Sequence, residues 1–138
     1  MRETKFQFTN QLSELANVRS IVDKFIGTEI DTKLKNRIIL ALDEAVSNII
    51  EHGFPDSKES EIALNVLVDK EKIQIILEDE GIAFNPLESK PVDMEEHLEI
   101  GEDGGVGIHI VQKIMQVEYE RIHSKNRLTL SKNLAEEI

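Results

Sequence analysis

Glu44 and Asn48 stand four positions apart in a segment whose apolar spacing predicts a helix. Residues four apart share one face of a helix, and at about 100° per residue both lie on the rim of the apolar stripe. A carboxylate there can accept a proton, and an amide oxygen can bind a hard cation such as Mg²⁺. A solvated glutamate beside a polar asparagine explains the same pair without any function.

A second candidate, Asp79-Glu80-Gly81, follows an apolar run at 72–77 that predicts a buried strand. An ionised Asp79 can accept a hydrogen bond from a donor such as an exocyclic amine. Gly81 permits close approach of other atoms to the backbone. A simple strand-ending turn accounts for the same residues.

The third candidate is the glycine-rich start of a predicted helix, Gly104-Gly105-Val106-Gly107-Ile108. Free N–H groups and the helix dipole favour an anion at such a terminus. The stretch lacks the pattern of a P-loop, and Ile110 stands where a dinucleotide-binding fingerprint needs a third glycine. A flexible capping loop is the alternative.

Composition excludes several classes of function. The 138 residues carry 27 acidic and 16 basic side chains, a net charge of −11, which disfavours direct binding to nucleic acid or to an anionic membrane surface. Cysteine is absent, which excludes thiolate chemistry and suits a cytoplasmic protein. The four histidines show no metal-ligand spacing. We expect one domain over residues 1–138.

The apolar periods predict the elements that must position the three candidates. Asn10 is expected to cap the first helix, and Asp31 or Thr32 the second. The expected order is a strand at 5–9, helices at 11–26 and 32–52, strands at 61–69 and 72–77, a long loop, a helix at 106–116, and strands at 117–123 and 127–132. Hairpins outnumber crossovers, which favours an α+β two-layer sandwich with a mixed, mostly antiparallel sheet and helices on one face.

In this order and spacing, the three motifs resemble the Bergerat-fold (histidine-kinase-like) ATPase superfamily, and more closely its bacterial anti-sigma-factor serine/threonine kinases. The matching stretches are Leu42–Asn48, Asp79–Pro86, Gly104–Val111, Val117–Tyr119 and Asn126–Leu130. The resemblance implies the Bergerat ATP-binding fold, with ATP and Mg²⁺ as ligands.

The resemblance also implies roles by position. Asn48 holds Mg²⁺, Glu44 is the general base, Asp79 reads the adenine amine, and Gly81 leaves room for the ring. It implies a lid at Asn85–Gly104. It places further nucleotide contacts at His52, Ala83, Gly104, Gly105, Val106, Gly107, Ile108 and Thr129.

Several residues depart from the family pattern. Glu80 and Asn85 stand where members often have Asp, and Gln116 where an Asp is common. The stretch Glu99–Asp103 is acidic where some members carry a basic residue. Less positive charge near a transferring phosphate disfavours fast phosphoryl transfer but leaves ATP binding largely untouched.

The function expected from the resemblance is an ATP-binding serine protein kinase and anti-sigma-type regulator. It would phosphorylate a small antagonist protein in a partner switch with a sigma factor. An ATP-binding regulatory module with little kinase activity and a slow ATPase remain open. The resemblance also implies a homodimer, with Phe6–Ile26 as the expected dimer and partner surface.

Overall fold

The computed structural model describes residues 1–88 and 106–134 of the chain. The strands are β1 (Arg2–Thr9), β2 (Glu61–Val68), β3 (Lys72–Asp79), β4 (Gln116–Ile122) and β5 (Lys125–Asn133), and the helices are α1 (Leu15–Ile26), α2 (Thr32–Gly53) and α3 (Val106–Ile114). Within those ranges, no helix combines the length and the apolar character that crossing a membrane requires.

The five strands form one sheet in the order β1-β2-β3-β5-β4. Each neighbouring pair is antiparallel, and the expected α+β fold class is confirmed. The β2–β3 hairpin turns at Lys70 and Glu71 as predicted. Asp69 closes this turn without an Asn-Gly pair, because its Oδ1 accepts hydrogen bonds from the backbone N–H groups of Glu71 and Lys72 at 2.7 and 2.8 Å.

Alternate side chains of the central strands point towards the helices. Successive residues of a strand face opposite sides of the sheet, so one face is buried and the other is half-exposed. The buried set in β2 and β3 is Ile62, Leu64, Val66, Val68, Ile73, Ile75 and Leu77. These residues belong to one hydrophobic core that also includes residues of all three helices.

Helix α2 packs against this core along an apolar stripe in which Ile38 and Leu42 are fully buried. Asp31 caps the helix, because its Oδ2 accepts a hydrogen bond from the N–H of Leu34 at 3.4 Å. The prediction that Asp31 or Thr32 caps this helix is therefore confirmed, with Asp31 as the cap. The stripe fixes the rotation of α2 and brings the half-buried Glu44 and Asn48 to the edge of the core.

The prediction that Asn10 caps the first helix is wrong. Its amide donates to the carbonyl of Lys58 at 2.9 Å and accepts from the N–H of Ser60 at 3.0 Å, which ties the end of β1 to the segment before β2. The chain enters α1 through a 3₁₀ turn at Leu12–Glu14, which has no side-chain cap. Asparagine offers the same donor and acceptor to a helix terminus and to a neighbouring loop.

Phe8 lies in the segment expected to form the dimer and partner surface, but its side chain is not available on the surface. This ring is only 4% exposed and belongs to the core, and Phe6 packs partly against the same core. In the segment proposed as a dimer surface, the large apolar side chain that is more than half exposed is Leu12, at 52%.

The buried stripe of α2 predicts a strong contrast between two positions on this helix. Ile38→Ala should lower the free energy of unfolding by about 2–5 kcal/mol, because it opens a cavity in a packed core. The control Leu40→Ala, at a position 46% exposed on the same helix, should change it by about 0.5 kcal/mol. Urea unfolding measures both, and losses of equal size would contradict this packing.

Candidate functional site

A pocket lies between α2 and the ends of β3 and β5. It contains Asn48 and Asp79, so the structure brings together two of the side chains that the sequence predicts as partners. The lining residues are Ala45, Asn48, Ile49, Gly53, Asp79, Phe84, Pro86, Tyr119, Asn126 and Leu128. The wall is thus mostly apolar, with a few polar groups that converge on it.

Asp79 is the last residue of β3 and is only 4% exposed. Its Oδ1 accepts hydrogen bonds from the N–H of Gly81 at 2.9 Å and from the amide of Asn126 at 3.0 Å. Burial raises the pKa of this carboxyl, and the bonds from Asn126 and Gly81 and the charge of Arg121 oppose that rise. When ionised, the group is an acceptor in an apolar wall, which suits recognition of an N–H donor.

Gly81 packs so closely against the end of α2 that no side chain fits. A Cβ there would lie 2.4 Å from the carbonyl oxygen of Gly53 and 2.9 Å from Oδ1 of Asp79. The next residue, Ile82, donates its N–H to the same Gly53 carbonyl at 2.9 Å. The turn after β3 is therefore joined to the end of α2, and this joint forms one side of the pocket.

Glu44 lies beside the first turn of α3. A Cβ on Gly107 would come within 2.7 Å of its Oε2, so a glycine at this position allows the helix to approach the carboxylate. Burial raises the pKa of Glu44, and the neighbouring carboxylates of Asp43 and Glu51 raise it further. A raised pKa makes a carboxylate a stronger base, as proton abstraction requires.

Two further predicted contacts, His52 of α2 and Ala83 of the loop after β3, are not among the residues that line the pocket. The ring of His52 stacks on Phe84, with centroids 4.9 Å apart and planes 22° from parallel. Phe84 lines the pocket, so His52 supports its wall from behind. Ala83 is exposed.

The placement predicted for Thr129 is wrong. In the register it lies opposite Ile76 of β3 and Glu118 of β4, on the sheet face away from the helices. Its neighbour Leu128 is buried and lines the pocket. Because strand side chains alternate with a period of two, the flanking leucines at 128 and 130 were the signal that Thr129 faces away.

In place of Thr129, the polar residue of β5 that lines the pocket is Asn126. It shares the inward face with Leu128, is 5% exposed and donates to Asp79. The sequence predicts a turn at this position and a strand that starts at residue 127, whereas β5 begins at Lys125. Tyr119, Arg121 and Phe84 are further residues at the site for which no role was predicted, although Phe84 and Tyr119 lie within the stretches that match the family.

The glycine-rich motif is only partly within the described residues. Gly104, Gly105 and most of the expected lid, residues 89–104, lie outside them, as does the side chain of Val106. The side chain of Ile108 is 1% exposed and belongs to the hydrophobic core. If Ile108 contacts a nucleotide as predicted, the contact must come from its backbone, because its side chain is in the core.

The contact between the turn and α2 predicts that Gly81→Ala is destabilising. The added methyl collides with a backbone carbonyl that cannot move away without disturbing α2, which should cost about 1–3 kcal/mol. The control Gly53→Ala meets Oδ1 of Asp79 at 3.8 Å, an ordinary contact. Unfolding curves that rank Gly53→Ala as the more damaging change would contradict this geometry.

The raised pKa of Glu44 predicts a pH-dependent gain of stability in Glu44→Gln. Between its unfolded and folded pKa values the folded protein binds more protons, so stability falls as pH rises through that window. Without nucleotide, Glu44→Gln should melt above the parent protein at pH 7, and the difference should fade below about pH 4. The exposed control Glu118→Gln should show no such gain, and a parent protein that melts higher at pH 7 would refute the expectation.

Comparison with known proteins agrees with this arrangement. The family described as the histidine kinase-like ATPase domain matches residues 8–132. The chain is 26% identical over 106 residues to the serine/threonine-protein kinase BtrW of Bordetella bronchiseptica, covering 76% of this chain and 75% of that protein. It is 28% identical over 81 residues to the serine-protein kinase RsbW of Listeria monocytogenes, covering 55% of this chain and 51% of that protein.

Solved structures share the fold at lower identity. The RsbU and RsbW domains of a Mycobacterium tuberculosis protein give a TM-score of 0.63 at 16% identity, over 97% of this chain and 33% of that one. A blue-light activated histidine kinase of Erythrobacter litoralis gives 0.60 at 17%, over 91% and 42%. The match at 8–132 runs from the end of β1 into β5 and includes every described residue of the pocket, and the chain therefore belongs to the histidine kinase-like ATPase domain family.

Proposed function

We propose that this protein is an ATP-dependent serine/threonine protein kinase that acts as an anti-sigma-type regulator. The observation that carries the proposal is the pocket in which Asn48 of α2 and the buried Asp79 of β3 face the same space. The names of the relatives BtrW and RsbW support the kinase activity. The chain covers only 51% of the length of the RsbW protein that it matches.

In the proposed complex, adenine enters between α2 and the turn after β3. Asp79 accepts a hydrogen bond from the exocyclic amine. Gly81 lets the turn after β3 close against α2, because the carbonyl of Gly53 occupies the place of a side chain, so this place is not available to the ring. The phosphates then extend along α2 towards Asn48 and Glu44, and the first turn of α3 receives them through backbone N–H groups near Gly107.

The donor set suits Mg²⁺ held mainly by the phosphates. In the described ranges, no group of three or more His, Cys, Asp or Glu side chains could hold a metal. Mg²⁺ is commonly bound through one or two protein oxygens together with substrate phosphates, and the amide oxygen of Asn48 would be such a ligand. Bound there, the ion supplies positive charge that neutralises the phosphates.

Glu44 performs the proton transfer in this proposal. A serine hydroxyl of the small antagonist protein attacks the terminal phosphorus of ATP, and the bond from that phosphorus to the bridging oxygen of ADP breaks. Glu44 takes the proton from the hydroxyl, and the positioning of donor and acceptor supplies most of the catalysis. Its position beside Gly107, at the start of α3, supports this role.

The proposed partners are a sigma factor and a small antagonist, bound by a homodimer in the cytoplasm. The net charge of −11 favours partners with a basic surface and an association that weakens in salt. A nucleotide-dependent regulatory module with little kinase activity is the second candidate. The acidic sequence of Glu99–Asp103, where some family members carry a basic residue, favours this candidate.

Two isosteric variants separate binding from chemistry. Asp79→Asn should weaken MgATP binding by about tenfold or more, because Gly81 and Asn126 hold the amide oxygen and leave an NH₂ group facing the adenine amine. Glu44→Gln should leave affinity nearly unchanged and lower the rate of phosphate transfer by about a hundredfold or more. Calorimetry and transfer of labelled phosphate to a co-encoded antagonist measure the two effects.

The outcomes divide the candidates. Binding without transfer in the parent protein selects the regulatory module, and phosphate released to water without an antagonist selects the slow ATPase. No binding of MgATP or MgADP at millimolar concentration would overturn the proposal as a whole. A loss of affinity that is larger in Glu44→Gln than in Asp79→Asn would overturn the assigned roles.

A further inference from the structure

The amide of Asn126 has a partner at each of its hydrogen-bonding positions. Its Nδ2 donates to Oδ1 of Asp79 at 3.0 Å and to the carbonyl of Ile82 at 2.8 Å. Its Oδ1 accepts from the guanidinium of Arg121 at 2.9 Å and from the hydroxyl of Tyr119. With 5% of the residue exposed, this amide is a buried polar group whose two donors and two acceptor sites are all used.

These partners allow one orientation of the amide. Arg121 can only donate, so it must face the oxygen of the amide, and the carbonyl of Ile82 can only accept, so it must face the nitrogen. A flipped amide would place its NH₂ group against the donor Arg121 and its oxygen against the acceptor carbonyl of Ile82. Both contacts are costly in a buried site. Tyr119 and Arg121 therefore hold the NH₂ group of Asn126 towards Asp79.

The locked amide decides which oxygen of Asp79 is left for a ligand. Both hydrogen bonds that described residues give to this side chain, from Gly81 and Asn126, end on Oδ1. The other oxygen, Oδ2, is thus the acceptor that remains for a molecule in the pocket. An acceptor at this position attracts an amine and repels a carbonyl oxygen.

We propose that Asn126, locked by Tyr119 and Arg121, is a positioning residue that sets the nucleobase preference of the pocket. By engaging Oδ1 it keeps Asp79 an acceptor towards the ligand, which selects a 6-amino purine over a 6-oxo purine. This inference rests on the proposed binding of ATP and names a determinant of its specificity. The resemblance to the family assigns no role to any of the three residues, although Tyr119 and Asn126 lie within the matching stretches.

Comparing ATP with inosine triphosphate tests the proposal, because inosine carries a carbonyl where adenosine carries the amine. The parent protein should bind MgATP more tightly than MgITP by about tenfold or more. In Asn126→Asp two carboxyl groups meet at contact distance and cannot both ionise. The donors Arg121 and Tyr119 favour the negative charge at position 126 and leave the proton on Asp79. Carried on Oδ2, this proton is donated to the carbonyl of ITP, so the ratio should fall to about threefold or less.

Two further variants keep the test decisive. Tyr119→Phe retains the ring and removes one lock, and it should lower the ATP-to-ITP ratio by about twofold to threefold. The control Arg127→Gln changes a neighbour that pairs with Glu78 and Glu120 on the other face of the sheet, and the ratio should stay at the parent value. Calorimetry gives all four ratios, and melting curves without nucleotide show whether each variant folds.

The binding ratios distinguish a failure of the proposed function from a failure of this inference alone. If the parent protein binds neither nucleotide, the proposed function fails. If it prefers ATP but the ratio is unchanged in Asn126→Asp and Tyr119→Phe, or if both nucleotides weaken equally, the inference alone fails and Asn126 is merely structural. If Asn126→Asp does not fold, the ratio in Tyr119→Phe decides: a fall supports the inference, and no change overturns it.

Discussion

A carboxylate buried at the junction of α2 and the sheet is the constraint on which the rest of the site depends. Removing the charge of Asp79 from water is costly unless donors surround it, and two of them come from Gly81 and Asn126. Gly81 can donate only because it has no side chain, since the carbonyl of Gly53 occupies that space. One side chain therefore fixes the turn after β3, the end of α2 and the inward face of β5.

Burial of two carboxyl groups lowers the stability of the folded chain while it prepares the site. Burial is the largest cause of the raised pKa of both Asp79 and Glu44, so ionising either group costs more in the folded chain than in water. Sites that work through buried charge commonly lose stability for this reason. A low local dielectric in turn strengthens each interaction that such a charge makes with a ligand.

Helix α2 connects the core to the chemistry. Its stripe, including Ile38 and Leu42, is fixed by packing, so the rim that carries Glu44 and Asn48 sits on a rigid element. An ion pair of 2.6 Å between Arg19 of α1 and Asp43 adds a second anchor one residue before Glu44. Groups held on a packed helix keep the geometry that proton transfer and metal binding need.

An acidic protein that binds a polyanionic ligand needs positive charge close to the binding site. With a net charge of −11, long-range attraction cannot bring a nucleotide to this pocket. In the proposed function the compensation is local, through the dipole of α3, its backbone N–H groups and Mg²⁺ at Asn48. Arg121, which donates to the carbonyl of Gly81 at 3.2 Å, is a cation beside the turn at which the proposal places adenine.

The sequence alone determined whatever depends on neighbours along the chain. Apolar periods located the helices and strands, Asp31 was one of two predicted caps, and the spacing of Glu44 and Asn48 placed both on one rim of α2. The Asp79-x-Gly81 turn also forms locally, because the carboxylate bonds to an N–H two residues on. Backbone geometry sets such relations within a few residues, so residue types and spacing suffice to predict them.

Tertiary structure decided the relations between segments distant in sequence. It directed Asn10 to Lys58 and Ser60, turned Thr129 away from the helices and brought Asn126 to Asp79. Asparagine bonds equally well to several partners, so its choice depends on which segments meet. The face of a strand residue depends on where the strand begins, and a shift of one position reverses every side chain. That start is fixed by pairing with β3 and β4 rather than by the residues of β5 alone.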